Sequence, residues 1–272
     1  MTVVREPMWD DAPRSRTQGV VRHIAKFLSS LGWCMHITVE ALSDFPSVLC
    51  RREGRADLVR QLYTTGIRTL PVVTVVSLFI GMILALQVGL ELRRFNQEIY
   101  LGAAVMISLM REMGPFACGI CFAACVGSAI AAELGTMKVN DEIAALEIMS
   151  ISPIRFLAAP RIMALVVMAP LVAFYCIVVG AMGGGVVGVT QLGVNFTQYM
   201  ASAMSIADTK DLYVGLLKAT LFGLTVGGVS VAEGLGTTMG AMGVGKSTQR
   251  SVIVNFLLIL MFGYMVTRAF YD

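Results

Sequence analysis

The sequence predicts an all-α integral membrane protein with about five transmembrane helices. The chain has 272 residues, of which 56% are hydrophobic and only 14% are charged, and its mean hydropathy is +0.75. A soluble domain carries about 25% charged residues, so this composition indicates a chain that places apolar surface in lipid. Five apolar stretches also reach the length of about 20 residues that a helix needs to cross a bilayer.

Apolar stretches bounded by polar residues predict the five spans at 70–92, 115–132, 162–187, 212–232 and 251–270. Pro71 fits the opening turn of the first span. A shorter helical arm is predicted over 98–113, ahead of the second span. In the third span Pro170 is expected to cause a kink, and in the fourth Gly223 and Gly227 allow close helix contact.

An amphipathic helix is predicted before the first span, over residues 20–36. Its apolar positions recur at helical spacing, at Val20, Ile24, Phe27, Leu28 and Leu31. A basic amphipathic helix suits a membrane interface, and packing against a soluble subunit is the alternative. We therefore expect a cytoplasmic N-terminal segment over residues 1–60 and a membrane domain over residues 61–272.

The positions of Lys and Arg predict the orientation. Fifteen of the 21 basic residues lie before the first span, between spans two and three, or between spans four and five. Positive charge accumulates on the cytoplasmic side of membrane proteins. The N-terminus is therefore expected in the cytoplasm and the C-terminus outside. The net charge of +3 is not gathered on a soluble domain, so no nucleic-acid binding is expected.

A charged island, residues 133–161, interrupts the apolar chain between the second and third spans. Asn140 is predicted to cap a short helix that begins with Asp141 and Glu142. Pro153 is expected to end that helix.

The predicted island helix has an apolar side and an acidic side. Ile143, Leu146 and Met149 share one face by their spacing, while Glu142 and Glu147 lie elsewhere. Such a helix can insert into a groove on a partner protein. An ordinary solvated loop helix is the alternative.

Residues 240–247 carry the letters of the phosphate-binding loop, G-x-x-x-x-G-K-[ST]. That chemistry needs a preceding strand and a following helix in a soluble α/β domain, whereas membrane spans stand on both sides here. The favoured interpretation is a flexible cytoplasmic turn with Lys246 and Arg250 at the level of the lipid headgroups.

Three charged residues are predicted at or within spans near the outer face. Arg111 and Glu112 stand at the outer edge of the second span, and Lys218 lies about two turns inside the fourth. Two interpretations stay open. The side chains form a mutual ion pair at the membrane surface, or they line the outer mouth of a lipid cavity between two protomers.

The island and its approach read Gly127-Ser-Ala-Ile-Ala-Ala-Glu133-Leu-Gly-Thr-Met-Lys138-Val, then Glu142-Ile-Ala-Ala-Leu-Glu147 and Pro160-Arg161. This pattern resembles the MlaE/YrbE permease family, the membrane subunits of MCE-type lipid-transport ABC complexes. Residues 70–87, 109–115 and 243–250 extend the likeness, which covers about residue 55 to the C-terminus. The chain departs from the family at Cys125, where arginine is common, and at Gly263, where an acidic residue is frequent.

The resemblance implies that residues 61–272 form a permease domain that works as a homodimer in the bacterial inner membrane. Two cytoplasmic ABC ATPase subunits would bind ATP and Mg, so this chain is expected to be non-catalytic and to hold no cofactor or metal. A periplasmic MCE-domain ring would cap the outer face, and in some systems a STAS-domain subunit binds the ATPase. The cargo would be a lipid, phospholipid or a related one, moved between the inner membrane and the outer envelope.

The resemblance also assigns roles to residues. The island would be the coupling helix that docks on the ATPase, with the coupling candidates Glu133, Thr136, Lys138, Asp141, Glu142, Leu146 and Glu147. The candidates for the lipid path are Gln87, Arg111, Glu112 and Lys218.

Two other classes of protein were weighed. A stand-alone secondary carrier for a hydrophobic solute would need acidic residues in the middle of its spans. An intramembrane enzyme would need a Ser/Lys pair, an Asp pair or a His/Glu metal set at membrane depth. The sequence offers neither pattern, and the thiols of Cys118, Cys121 and Cys125 have no histidine near them, so we expect them to pack between helices.

Overall fold

The computed structural model describes residues 32–41, 43, 52–238 and 240–271, and within these ranges the chain is helical and contains no strand. In chain order the helices are α1 (32–41), α2 (Arg52–Thr65), α3 (Leu70–Arg94), α4 (Glu98–Val139), α5 (Glu142–Ile148), α6 (Ile154–Thr190), α7 (Phe196–Ile206), α8 (Thr209–Leu235) and α9 (Gly240–Tyr271). Five helical stretches are long and apolar enough to cross a membrane. The predicted fold class and number of spans are confirmed.

Each span is longer than the sequence predicted, because the polar residues at its ends stay helical. α4 differs most, since the predicted arm and second span form one helix of 42 residues, about 63 Å long at 1.5 Å per residue. Two π-helical segments, Leu109–Met113 and Phe122–Gly127, lie within it. Gly114-Pro115 therefore does not separate the arm over 98–113 from the second span, although the sequence predicted two separate helices.

α9 begins at Gly240, so residues 240–250 form its first turns. The predicted flexible turn is wrong. Gly240 starts the helix with a φ of 64°, and only four residues separate it from Leu235, the last residue of α8. Because no strand precedes these residues in the described chain, the phosphate-binding letters do not form that loop.

The five spans are buried to very different degrees. In the most apolar window of each span, 61% of the second and 67% of the fourth is buried, against 28% of the first and 22% of the fifth. α3 packs on α6 where Gly81 and Gly180 meet, and a side chain at Gly81 would overlap the Gly180 carbonyl. At Gly223 the backbone of α8 reaches Leu165 of α6, which confirms the predicted close contact.

α1 contains only the last part of the predicted amphipathic helix, since residues 20–31 lie outside the described ranges. Cys34, Ile37 and Ala41 are buried in the main core. Burial raises the pKa of the Cys34 thiol to about 12. In its described part, this helix therefore packs against the bundle through one apolar face.

α7 covers the glycine-rich end of α6. Its Tyr199 is buried and donates a hydrogen bond from its hydroxyl to the Ala181 carbonyl at 3.0 Å. Burial raises the pKa of Tyr199 to about 12. α7 also packs on the start of α4, where the Ala103 amide donates to the Ser202 hydroxyl at 3.2 Å.

Candidate functional site

Polar residues gather at two ends of the bundle. The island end comprises the last turns of α4, the short helix α5, the first turns of α6 and the connection between α8 and α9. The opposite end comprises the Leu109–Met113 segment of α4, the first turns of α8 and the last turns of α9. The coupling candidates lie at the island end, and three of the four lipid-path candidates lie at the opposite end.

Backbone geometry, and not the predicted residues, delimits α5. Asn140 ends α4, and Asp141 precedes α5 with a left-handed φ of 58° and no capping bond from its side chain. The prediction of Asn140 as the cap is wrong. An Asp adopts this conformation more readily than most residues do.

The C-terminal end of α5 also differs from the prediction, since Pro153 stands just before α6 and begins that helix. α5 ends at Ile148, and Ser150, two residues beyond that end, has a left-handed φ of 60°. The amides of Ser150 and Ile151 donate to the carbonyls of Glu147 and Leu146 at 2.9 and 3.0 Å. This is the Schellman arrangement, with serine in the place that glycine usually takes.

The apolar face of α5 is divided between the bundle and the outside. Ile143 is buried in the main core, and Leu146 packs against that core. Ile148 is 85% exposed and Met149 is 60% exposed, although both lie beyond the spans. The inner residues fix α5 to the bundle, and the outer ones form an uncovered apolar tip.

Most polar coupling candidates have no partner within the part of the chain that the structure describes. The side chains of Lys138, Asp141, Glu142 and Glu147 make no hydrogen bond or ion pair with any other described residue. Thr136 only donates back to the Ala132 carbonyl of its own helix, at 2.8 Å. These groups are therefore available to an external partner.

Glu133 is the exception among the coupling candidates. Its Oε1 lies 3.1 Å from the guanidinium of Arg161 at the start of α6. Arg161 is buried and also donates from Nη1 to the Leu157 carbonyl at 2.8 Å. The sequence placed both residues in the island but did not predict that they pair.

At the opposite end, Lys218 is the centre of a buried polar cluster. Its Nζ donates to Oε1 of Glu112 at 2.6 Å, to the hydroxyl of Thr267 at 2.7 Å and to the carbonyl of Arg111 at 2.8 Å. That carbonyl lies four residues before Pro115, which has no amide hydrogen to donate to it. The predicted ion pair between Lys218 and Glu112 is therefore present, and α4, α8 and α9 each supply one member of the cluster.

A second ion pair lies beside this cluster. The Nε of Arg111 donates to Oδ2 of Asp211 at 2.8 Å, and the Tyr271 hydroxyl donates to Oδ1 at 2.7 Å. The guanidinium carbon of Arg111 lies 4.4 Å from the centre of the Tyr271 ring. Asp211 and Tyr271 were missed, because no spacing in the sequence relates residues 100 and 160 positions away to Arg111.

Gln87 does not join these residues. It lies on the exposed side of α3, and its side chain has no hydrogen-bond partner among the described residues. The remaining three lipid-path candidates are brought together by contacts between α4 and α8.

A buried polar layer in the middle of the bundle was also missed. Asn255 of α9 donates from Nδ2 to the hydroxyl of Ser230 at 3.1 Å, and Ser251 donates to the same hydroxyl at 3.0 Å. The Oδ1 of Asn255 is buried and has no hydrogen-bond partner in the described ranges. The sequence held a signal for this layer, since an amide inside an apolar span is a candidate functional residue.

The two departures from the family pattern lie in α4 and α9. Cys125 is in the Phe122–Gly127 segment and is half-buried as a free thiol. Gly263 is buried in α9, where an added Cβ would touch Phe222 at 3.4 Å. Within the described ranges, no group of His, Cys, Asp and Glu is arranged to hold a metal ion.

Five apolar spans with charged clusters at both ends define a multi-pass membrane protein. Residues 58–269 match the family described as Permease MlaE, and the chain belongs to this family.

Similar proteins match nearly the whole chain. A probable ABC transporter permease protein of Rickettsia prowazekii is 35% identical over 252 residues, which cover 93% of this chain and 96% of the relative. The intermembrane phospholipid transport system permease protein MlaE of Haemophilus influenzae is 31% identical over 247 residues, covering 90% and 94%. The chloroplastic protein TRIGALACTOSYLDIACYLGLYCEROL 1 of Arabidopsis thaliana is 30% identical over 214 residues, covering 79% and 61%.

Proposed function

We propose that this chain is the membrane-spanning permease subunit of a bacterial ABC transporter that moves phospholipid. Support comes from its membership of the MlaE family and from the phospholipid transport named for the Haemophilus relative. The stand-alone carrier is not favoured, because the acidic residues of the lipid-path cluster are paired near one end of the spans and do not lie alone at mid-span.

The uncovered tip of α5 is the observation that carries the proposal. Ile148 and Met149 are apolar, exposed and beyond the spans, and the acidic residues Asp141, Glu142 and Glu147 beside them have no partner in the described chain. A soluble partner would bury the apolar tip and pair the acids. A nucleotide-binding ATPase is that partner in an ABC transporter, so ATP and Mg bind there and hydrolysis takes place outside this chain.

The lipid path in this proposal passes the polar cluster at the opposite end. Arg111 and Glu112 are both partly exposed, while Lys218 behind them is fully buried. A phosphate group has the charge and acceptors to take a bond from the Arg111 guanidinium. Gln87 would contribute only if lipid or a second protomer lies against the exposed side of α3.

The proposal includes an assembly in the bacterial inner membrane. Two copies of the chain form the pathway between them, and an ATPase dimer binds their α5 helices on the cytoplasmic side. The N-terminus is cytoplasmic and the C-terminus periplasmic, where an MCE-domain ring receives or supplies lipid. A STAS-domain subunit bound to the ATPase is a further expected member. The excess of basic residues at the island end supports this orientation.

The proposal is tested by charge reversal on α5 in the purified permease with its ATPase. In D141K/E142K we expect the ATPase to bind roughly tenfold more weakly, because two outward carboxylates become repulsive to the same surface. Phospholipid transfer between membranes is expected to fall in proportion to the loss of ATPase binding. The measurements are co-purification, the dissociation constant and transfer of a labelled phospholipid.

The matched control is E91K/E98K, which makes the same charge change on exposed residues at the other end of α3 and the start of α4. It is expected to bind the ATPase as the wild type does. Unchanged binding and transfer in D141K/E142K would show that α5 is not the docking element. A wild-type complex that transfers no phospholipid would contradict the proposed cargo.

A further inference from the structure

Both chain connections at the island end are closed by a Glu–Arg pair. Glu133 near the end of α4 pairs with Arg161 near the start of α6, at 3.1 Å. Glu233 near the end of α8 pairs with Arg250 in the first turns of α9, at 3.3 Å. We refer to these as the loop-base pairs, since each joins the two helices that a connection links.

The two loop-base pairs are mechanically connected. A Cβ at Gly234 would lie 2.8 Å from the Cβ of Leu134, and one at Gly135 would lie 2.8 Å from the Thr237 hydroxyl. The residues next to Glu133 and Glu233 therefore touch directly. Thr237 in turn donates from its hydroxyl to Ser247 of α9 at 2.9 Å. Four helix ends thus form one packed unit.

In the first loop-base pair, Arg161 is the buried member and Glu133 is the exposed one. The guanidinium is buried and has a single carboxylate partner among the described residues, Glu133, whose side chain is 59% exposed. The Nε of Arg161 has no acceptor among the described residues. A buried cation with one ionic partner strongly disfavours the loss of that partner. Glu133 is therefore held in place by the interior, although it lies at the surface.

We propose that Arg161 is a positioning residue that makes α4 and α6 move together when α5 is displaced. Without the pair, a force on α5 would bend the connection on the α4 side or on the α6 side alone. With it, the displacement reaches both helices at once and passes through the contacts of Leu134 and Gly135 to α8 and α9. This inference rests on the proposed function, because it assumes that an ATPase moves α5.

The same helices reach the polar cluster at the opposite end. Glu112 is on α4, Lys218 on α8 and Thr267 on α9. Packed helices can carry a displacement along their length, so a joint movement of the three helix ends changes the relative positions of these three side chains. Loss of the loop-base pair therefore separates ATP hydrolysis from lipid movement, and leaves ATPase binding unchanged.

The test uses E133Q in the permease–ATPase complex reconstituted in liposomes of phosphatidylethanolamine and phosphatidylglycerol. The glutamine keeps an amide oxygen that can still accept a hydrogen bond from the Arg161 guanidinium, so the variant is expected to fold. We expect unchanged ATPase co-purification and a roughly tenfold fall in labelled phospholipid moved per ATP hydrolysed, within the range of measured coupling between sites. E98Q, which removes the exposed Arg93–Glu98 pair, is the control and keeps the wild-type ratio.

R161K is the second variant, because lysine keeps the charge but loses the planar guanidinium. We expect R161K to retain more of the wild-type ratio of phospholipid moved per ATP hydrolysed than R161Q does. The exchange variant E133R/R161E is expected to retain more of this ratio than either E133R or R161E alone. A wild-type ratio in E133Q overturns the inference, and so does loss of ATPase binding, which would make Glu133 a docking residue. If the wild-type complex moves no lipid while hydrolysing ATP, the proposed function fails first.

Discussion

At the opposite end of the bundle, Lys218, Glu112 and Thr267 take their partners from one another, whereas at the island end Asp141, Glu142 and Glu147 have none among the described residues. The two ends differ in how their charged residues are paired. Lys218 is deep in the bundle, where an unpaired ammonium is strongly disfavoured. The acids of α5 are in solvent, where they can remain unpaired.

The contrast separates residues that hold the fold from residues that are free to bind. Lys218 already has three acceptors, so a lipid phosphate would have to displace one of them or bind at Arg111 instead. At the α5 tip, a binding partner would not have to displace any contact made by the described residues. We therefore expect substitutions at the opposite end to change stability first, and substitutions of the exposed residues of α5 to change partner binding alone.

The largest expected effect is that of Lys218→Met. This change leaves the Glu112 carboxylate without its cation, and we expect the free energy of unfolding to fall by about 3 kcal/mol. The partial exposure of Glu112, 42%, keeps the loss from being larger. Thermal or denaturant unfolding of the permease in detergent measures it.

The double variant K218M/E112Q is the matched control for Lys218→Met. With both charges removed, about half of the lost stability is expected to return. Equal losses in the single and double variants would mean that the pair does not stabilise the bundle. The claim that the paired charges at the opposite end stabilise the fold would then be wrong.

The composition and hydropathy predicted the membrane fold, the five spans and the exposed acids of α5, because these depend on local sequence. The predicted spans were too short, because a long apolar helix continues through the polar residues at its ends. Asn140 and Pro153 also misled, because left-handed residues at Asp141 and Ser150 delimit α5. Such backbone conformations at non-glycine residues have no reliable sequence signal.

The clusters at the opposite end could be predicted only in part. Arg111, Glu112 and Lys218 were recognised as intramembrane charges, and such charges are candidates by default. Their partners Asp211, Thr267 and Tyr271 come from distant positions and depend on how α4, α8 and α9 pack. The same holds for Arg161 and Glu133, which lie 28 positions apart and pair across a connection.

Ile148→Asp tests the island end of the comparison. Replacing the most exposed apolar side chain of α5 is expected to weaken ATPase binding by about 1.5 kcal/mol, or roughly tenfold, while stability changes by less than about 0.5 kcal/mol. A titration of the ATPase and a thermal unfolding curve measure the two quantities. Met242→Asp is the control, because Met242 is also apolar and exposed, at 71%, and lies on the first turn of α9. An equal loss in both variants would extend the docking surface beyond α5.

The smallest expected effect is that of Tyr271→Phe, which asks whether Asp211 depends on one partner or on two. The change removes the 2.7 Å hydrogen bond to Oδ1 but keeps the ring against which the Arg111 guanidinium lies. Because Arg111 still pairs with Oδ2 of Asp211, we expect only about 1 kcal/mol of lost stability. ATPase binding is expected to stay unchanged, since this cluster lies at the other end of the bundle. A loss as large as that of Lys218→Met would mean that Tyr271 and Lys218 belong to one cooperative network, and that Arg111 is held as firmly as the buried lysine and is not the outward-facing member of the cluster.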